Sequence, residues 1–182
     1  SYSQGNTVNI SGGTFTARDK IVLSGNGTSG CNGHSWNVSG GKFYGEIIDD
    51  AGDLTDDQDI ACGIYSPNAD TWNITGGEFY ITNGAGIVQR AGSVTVGEGV
   101  KITTTGTTAG YVGDKHVLLP CGALVFDVHA NSTSYPGLTA DDKLVVNGGT
   151  FRSHDNVVAV MHGNDNNVRI QVNKASNVTT EP

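Results

Sequence analysis

The sequence predicts an all-β chain in which short strands stack as successive copies of one repeat. Three observations carry that reading. The stretch Trp72-Asn73-Ile74-Thr75-Gly76-Gly77-Glu78-Phe79-Tyr80 recurs as Val8–Phe15, Trp36–Phe43 and Leu144–Phe151, with Val94–Val100 as a degenerate copy, and an internal repeat decides architecture before other signals do. The 182 residues include 27 glycines and only 15% charged residues, a composition that disfavours helices and suits many short strands with tight corners. Within each copy apolar residues alternate with polar ones, the period of a strand.

Taken in order, the copies divide into rungs of three strands each. The first is expected at Val8–Ile10, Gly13–Phe15 and Ile21–Leu23, the second at Trp36–Val38, Gly41–Phe43 and Gly63–Tyr65. The third uses Trp72–Ile74, Gly77–Phe79 and Gly86–Gln89; the fourth uses Val94–Val96, Val100–Ile102 and Ala123–Phe126. A fifth runs through Leu144–Val146, Gly149–Phe151 and Val157–Val160, and Val168–Ile170 opens a sixth. Alternation points Val8, Ile10, Trp36, Val38, Trp72, Ile74, Val94, Val96, Leu144, Val146, Val168 and Ile170 inward, with Asn9, Asn37, Asn73 and Thr95 outward. After each Gly-Gly corner, where a Cβ would obstruct the turn, a Phe returns inside. Phe15, Phe43, Phe79 and Phe151 therefore form a column, interrupted at the fourth rung by Val100 and Ile102. One rung cannot bury its own face, so stability comes from neighbours stacked about 4.8 Å apart.

Val8 to about Gln171 resembles the right-handed parallel β-helix, or β-solenoid, of the pectate-lyase-like superfamily. Such folds occur in phage tailspikes and fibres, polysaccharide-degrading enzymes and bacterial surface adhesins. The resemblance implies a single β-helix domain of five to six rungs over residues 1–182, in an extracellular, cell-surface or virion setting, with a homotrimer as the assembly usual among such spikes. It carries over no catalytic residue, because no lyase motif matches and one scaffold hosts many functions. The chain opens at Ser1 without an initiator Met, and a segment of a longer protein is expected.

Composition narrows the partners. A formal charge of −8 with only 10 Lys and Arg argues against nucleic acid, which calls for clustered cations. No apolar run approaches the roughly 20 residues of a membrane span. Cys31, Cys62 and Cys121 match no zinc or redox spacing. Cys62 and Cys121 occupy equivalent places two rungs apart, roughly 10 Å, beyond the reach of a disulfide, and are expected to be small buried fillers. A bridge from Cys31 to Cys62 stays open at this stage.

Candidate sites lie where the repeat departs from its minimum. Long excursions, Tyr44 to Cys62 and Thr103 to Gly122, leave from the same corner two rungs apart, and such aligned loops make a recognition surface or are tolerated insertions. The first carries Asp49, Asp50, Asp53, Asp56, Asp57 and Asp59, oxygen ligands that could hold Ca²⁺. Their spacing is not that of an EF-hand, and a solvated acidic loop with no cofactor is the simpler reading. Outward positions after the corner read Thr14, Lys42, Glu78, Lys101 and Thr150, then Thr16, Tyr44, Tyr80, Thr103 and Arg152. The first series is a charge ladder. In the second, Tyr44, Tyr80 and Arg152 offer aromatic rings and a guanidinium to a sugar, although aromatic ladders also stabilise sheets. Gln89, Arg90, Asp127, His129, His162 and Asp165 fall along another edge. Of these, Arg90, Asp127, His129 and His162 hold the acid, base and charge-stabilising groups a polysaccharide lyase or hydrolase would need. The reading preferred on these grounds is a non-enzymatic rigid shaft or receptor module that binds a host-surface glycan or protein. A polysaccharide-cleaving spike is the alternative.

Overall fold

The structure, a computed structural model, describes residues 3–18, 20–46, 62–106, 111–112, 117–118, 121–128, 138–154, 157–163, 165–175 and 177–181. Among them the first copy of the repeat supplies β1 (Thr7–Ile10), β2 (Thr14–Arg18) and β3 (Leu23–Ser24). The second supplies β4 (Ser35–Glu46) and β5 (Cys62–Ser66), the third β6 (Thr71–Thr82) and β7 (Ala85–Gln89). The fourth supplies β8 (Ser93–Thr104), a small pair β9 (Tyr111–Val112) and β10 (Val117–Leu118), then β11 (Leu124–Asp127). The fifth has β12 (Lys143–Val146), β13 (Thr150–His154) and β14 (Ala159–His162), and the last has β15 (Ile170–Val172) and β16 (Asn177–Glu181). The described chain is all-β.

Two parallel sheets result. In the nine-stranded sheet β1, β4, β6, β8, β12 and β15 lie side by side in that order, while β2 pairs with the second half of β4, and β13 lies between β8 and β16. The five-stranded sheet runs β3, β5, β7, β11, β14. Each copy thus visits the large sheet twice and, through the fifth, the small sheet once. Register follows the repeat: Trp36 pairs with Trp72, Asn37 with Asn73 and Phe43 with Phe79, and Trp72 pairs with Val94 and Phe79 with Ile102. Equal side chains therefore stack. Phe15 and Phe43 lie 5.1 Å apart between ring centroids, Phe43 and Phe79 4.4 Å, and Trp36 and Trp72 4.3 Å. Asn37 Nδ2 donates to Asn9 Oδ1 at 2.9 Å, and Asn73 Nδ2 donates to Asn37 Oδ1 at 3.2 Å.

The Gly pair works as a bend inside one continuous strand in β4 and β6. Its two members have different jobs. A Cβ on Gly76 would lie 2.6 Å from the Ser39 carbonyl oxygen of the preceding copy, so the close stacking excludes it; Gly77 has φ +127°, a backbone that L side chains rarely adopt. In the degenerate fourth copy Val100 stands opposite Gly77.

The main core joins both sheets. Val38, Phe43, Trp72, Ile74, Phe79, Val94, Val96 and Phe151 from the large sheet meet Leu23, Ile64, Ile87, Leu124 and Phe126 from the small one. Full burial of such a side chain contributes about 1.5–3 kcal/mol. Cys62, Tyr65, Ala85, Val88, Cys121 and Val125 form a second apolar cluster, so every residue of β5, β7 and β11 is buried, as in parallel sheets covered on both faces.

Buried polar residues just before the first strand of a copy reach back to the copy beneath. Asp70 Oδ1 accepts the His34 N–H at 2.9 Å, Asp142 Oδ1 accepts the Gly92 N–H at 3.2 Å, and His34 Nδ1 accepts the Asn6 N–H at 3.1 Å. Asn68, fully buried, donates to the carbonyls of Asn26, Thr28 and Cys31 and so secures the loop before β4. Arg169 closes the last copy. It pairs with Asp165, donates to the Asp142 carbonyl at 2.9 Å, and places its guanidinium 5.5 Å from the Phe126 ring centroid.

Three expectations need correction. Val168 is not the first residue of the paired strand: Leu144 pairs with Ile170 and Val146 with Val172, so the register is shifted by two residues, and of the three only Ile170 packs against the core, Val168 and Val172 being 60% and 54% exposed. The last copy also has a second strand, β16, in register with β13. Cys121 is one residue out of line with Cys62: Cys62 pairs with Ala85, whereas the pairing of Leu124 with Ile87 places Gly122 opposite Ala85. All three cysteines are free and buried, with no bridge between Cys31 and Cys62. Burial raises the Cys62 thiol pKa strongly and pushes that of Cys121 up to about 12.

Candidate functional site

The outward residues of β2, β4, β6, β8 and β13 make a flat face whose columns the register defines. One column reads Thr14, Lys42, Glu78, Lys101 and Thr150, and the next reads Thr16, Tyr44, Tyr80, Thr103 and Arg152. These are the columns expected from the repeat. In the first, Lys101 Nζ donates to Glu78 Oε1 at 3.1 Å. That bond, with Lys101's charge and Lys42 on the other side, holds the Glu78 carboxyl below its usual range.

In the second column Tyr44 and Tyr80 are 37% and 41% exposed, with ring centroids 5.5 Å apart and an interplanar angle of 13°. The inner ring faces are therefore spent on each other. What solvent meets is the ring edges with their hydroxyls, and one outer face on each side, above the smaller Thr16 and Thr103. Arg152 is exposed and lies beyond Thr103 in the same column. Arg18 and Glu46 stand opposite each other in backbone register at the rim, and His154 stands opposite Glu181 there. Counting Arg18, Lys42, Lys101 and Arg152 against Glu46, Glu78 and Glu181, the outward columns of this face carry one more cation than anion on a chain of net charge −8.

The candidate catalytic set fares differently. Arg90 and Asp127 do come together, with Nε to Oδ2 at 3.1 Å, but at 1% and 0% exposure. Arg90 Nη1 also donates to the Tyr65 hydroxyl at 3.3 Å. Polar residues at the ends of β7 and β11 read in sequence as an open edge, yet they close on each other in the interior, away from any polymer. Gln89 is likewise buried, donating to the carbonyls of Gly92 and Lys143. His162 lies on β14, its backbone opposite Asp127, whereas Asp165 is bound to Arg169. His129 lies outside the described residues, as do Asp49, Asp50, Asp53, Asp56, Asp57 and Asp59. Among the described residues no group of three or more His, Cys, Asp or Glu is placed to hold a metal ion, and no helix is long and apolar enough to cross a membrane.

The buried corner of His34, Asp70, Trp36 and Trp72 was missed in the sequence. Burial raises the Asp70 pKa, opposed by the His34 N–H, the nearby His34 ring and Trp36. A single polar residue before a strand has no periodic signal to reveal it. Comparison with known proteins gives no match to a family model, a curated protein or a solved structure.

Proposed function

We infer that this chain is a right-handed β-solenoid that works as a non-enzymatic, surface-exposed shaft or recognition module, binding glycan through the flat face centred on Tyr44 and Tyr80. The solenoid reading rests on the order in which each copy visits the two parallel sheets and on the right-handedness of parallel crossover connections. The binding reading rests on one observation: two tyrosines stay exposed and stacked on a face of paired charges. Tyrosine edges combine apolar area with a hydroxyl at little entropic cost, which suits sugar rings and protein surfaces alike. A virion or cell-surface setting, and a trimer, follow from the resemblance to tailspikes and adhesins. The burial of Arg90 and Asp127 weighs against the cleaving alternative.

A glycan array with the parent protein and the double variant Tyr44→Ala/Tyr80→Ala tests the binding claim. Binding by the parent and its loss in a folded double variant is the expected result; equal binding by both overturns it. Incubation with capsular or cell-wall polysaccharides should release no new reducing ends or unsaturated products. Turnover would promote the polysaccharide-cleaving reading.

A further inference from the structure

The joint between neighbouring copies has a direction, and the two outermost copies leave its two halves open. Among the described residues, β1 and β2 pair on one side only, with β4, while β15 and β16 pair on one side only, with β12 and β13. Residues of a parallel strand bond alternately to its two neighbours. The Asn147 N–H donates back to the Val96 carbonyl and the Asn173 N–H back to the Val146 carbonyl, both at 2.8 Å, whereas the Leu144 N–H donates forward to the Arg169 carbonyl at 2.8 Å. In these strands outward residues therefore bond to the preceding copy and inward residues to the following one. By that alternation the backbone of Thr7 and Asn9 faces the open side of β1, and the backbone of Ile170 and Val172 faces the open side of β15.

The side chains keep the same direction. Asn37 donates back to Asn9 Oδ1, and Asn73 back to Asn37 Oδ1, so Asn9 Nδ2 has no partner among the described residues. Its column runs on through Thr95 and Val145 to Gln171, whose Nε2 donates to Asn173 Oδ1 while Oε1 stays open. One end of the column offers a donor and the other an acceptor. The apolar positions match too: Val8 and Ile10 are half-buried at the first end, and at the other Ile170 is half-buried and Val172 is exposed.

We propose that the first copy of one molecule stacks on the last copy of a second molecule of this chain, β1 alongside β15 and β2 alongside β16, in the parallel register of the internal joints. Val8 then lies on Ile170 and Ile10 on Val172, the Asn9 N–H donates to the Ile170 carbonyl, and Asn9 Nδ2 donates to Gln171 Oε1. Arg18 falls at the register position opposite Glu181, the unlike charge. A two-fold contact of one end with itself lacks this fit, because it sets open donors against donors and acceptors against acceptors. The contact is head-to-tail, and each molecule added leaves the same two ends open, so growth has no closing number. Among the described residues the last copy places no strand in the small sheet, so the large sheet alone makes the joint and association is reversible. None of this depends on the glycan reading.

Sedimentation velocity over a range of protein concentrations tests it. The average mass of the parent should rise with concentration and settle on no single oligomer. Asn9→Pro deletes an N–H on the open side of β1 and Val172→Pro one on the open side of β15, while the bonds to β4 and β12 remain; edge strands accept proline at such positions. Each variant, with a circular dichroism spectrum like the parent's, should hold one mass at every concentration. An equal mixture of the two should give pairs of twice that mass and nothing larger, because one usable end of each kind remains. A parent of constant mass, a proline variant that still grows, or a mixture without pairs overturns the proposal. If a proline variant loses its fold, exposed positions decide instead. Asn9→Lys/Gln171→Lys sets two ammonium groups across the joint and should abolish growth, Asn9→Lys/Gln171→Glu should restore it, and equal behaviour of the two overturns the proposal.

Discussion

The paired glycines respond to different constraints, and the constraints depend on the copy. At Gly76 a methyl group would collide with the Ser39 carbonyl of the copy beneath, whereas at Gly12, the equivalent position in the first copy, a Cβ would meet nothing within 4 Å. Gly76→Ala is therefore expected to cost about 1–3 kcal/mol as backbone shifts to relieve the overlap, and Gly12→Ala to stay within about 0.5 kcal/mol. Urea unfolding of the two variants checks this, and equal costs would refute the stacking explanation. Asp70 gives a prediction of another kind. Its folded-state pKa is raised above the ordinary 3.8 by burial, so the proton binds the folded state more tightly. The stability this contributes is fully present below the unfolded value and is lost as pH rises through the folded one. Asp70→Asn should remove that decline, flattening stability against pH just above 3.8 relative to the parent; an unchanged slope would remove Asp70 as its source. Motif spacing revealed the glycines. It could not reveal Asp70, His34 or Asp142, because each acts on a backbone N–H one copy away and leaves only one residue type at one position.

At the scale of the element, each strand's inside and outside were legible because period two and the Gly-Gly-x-Phe spacing agree, and the Phe column and the Lys42, Glu78 and Lys101 ladder followed from them. Register was not legible where two frames fit equally. Val168/Ile170 and Ile170/Val172 both alternate, and only pairing with β12 selects the second. Arg90 and Asp127 failed for a related reason: burial at a strand end depends on what covers the second face of the small sheet, and the repeat says nothing of that face. The column itself makes a graded prediction. Phe79 is fully buried, with Phe43 stacked on one side and Ile102 paired on the other; Phe15 is only partly buried, at the edge of the stack. Phe79→Ala should cost about 3–5 kcal/mol, in the range of large-to-small core changes, and Phe15→Ala clearly less. Chemical denaturation distinguishes them, and similar values for both would mean that the first copy is as well covered as the third.

At the scale of the molecule, the parallel strands pair only between adjacent copies, with side-chain contacts such as Lys174 to Glu98 and Arg169 to Phe126 reaching one copy further, so the copies behave to a first approximation as a one-dimensional array in which stability is a sum of copy and interface terms. The central copies have two such interfaces and the outer copies one. The burial record follows that logic: the apolar side chains of β6 and β8 that point inward are buried, while Val8 and Ile10 of β1 are half-buried and Val168 and Val172 around β15 are 60% and 54% exposed. Hydrogen exchange reads this directly, because amides open locally at a free energy set by the packing around them. Protection should peak in β6, β7 and β8 and fall toward β1 on one side and β15 on the other. Uncovered outer copies should also draw protection from one another at high concentration, since their strand edges carry unpaired backbone groups. Exchange in β1 and β15 should then slow as protein concentration rises, while exchange in β7 stays constant. Protection equal across all the copies and independent of concentration would mean that the stack opens as one cooperative unit, and the neighbour-by-neighbour account would fail.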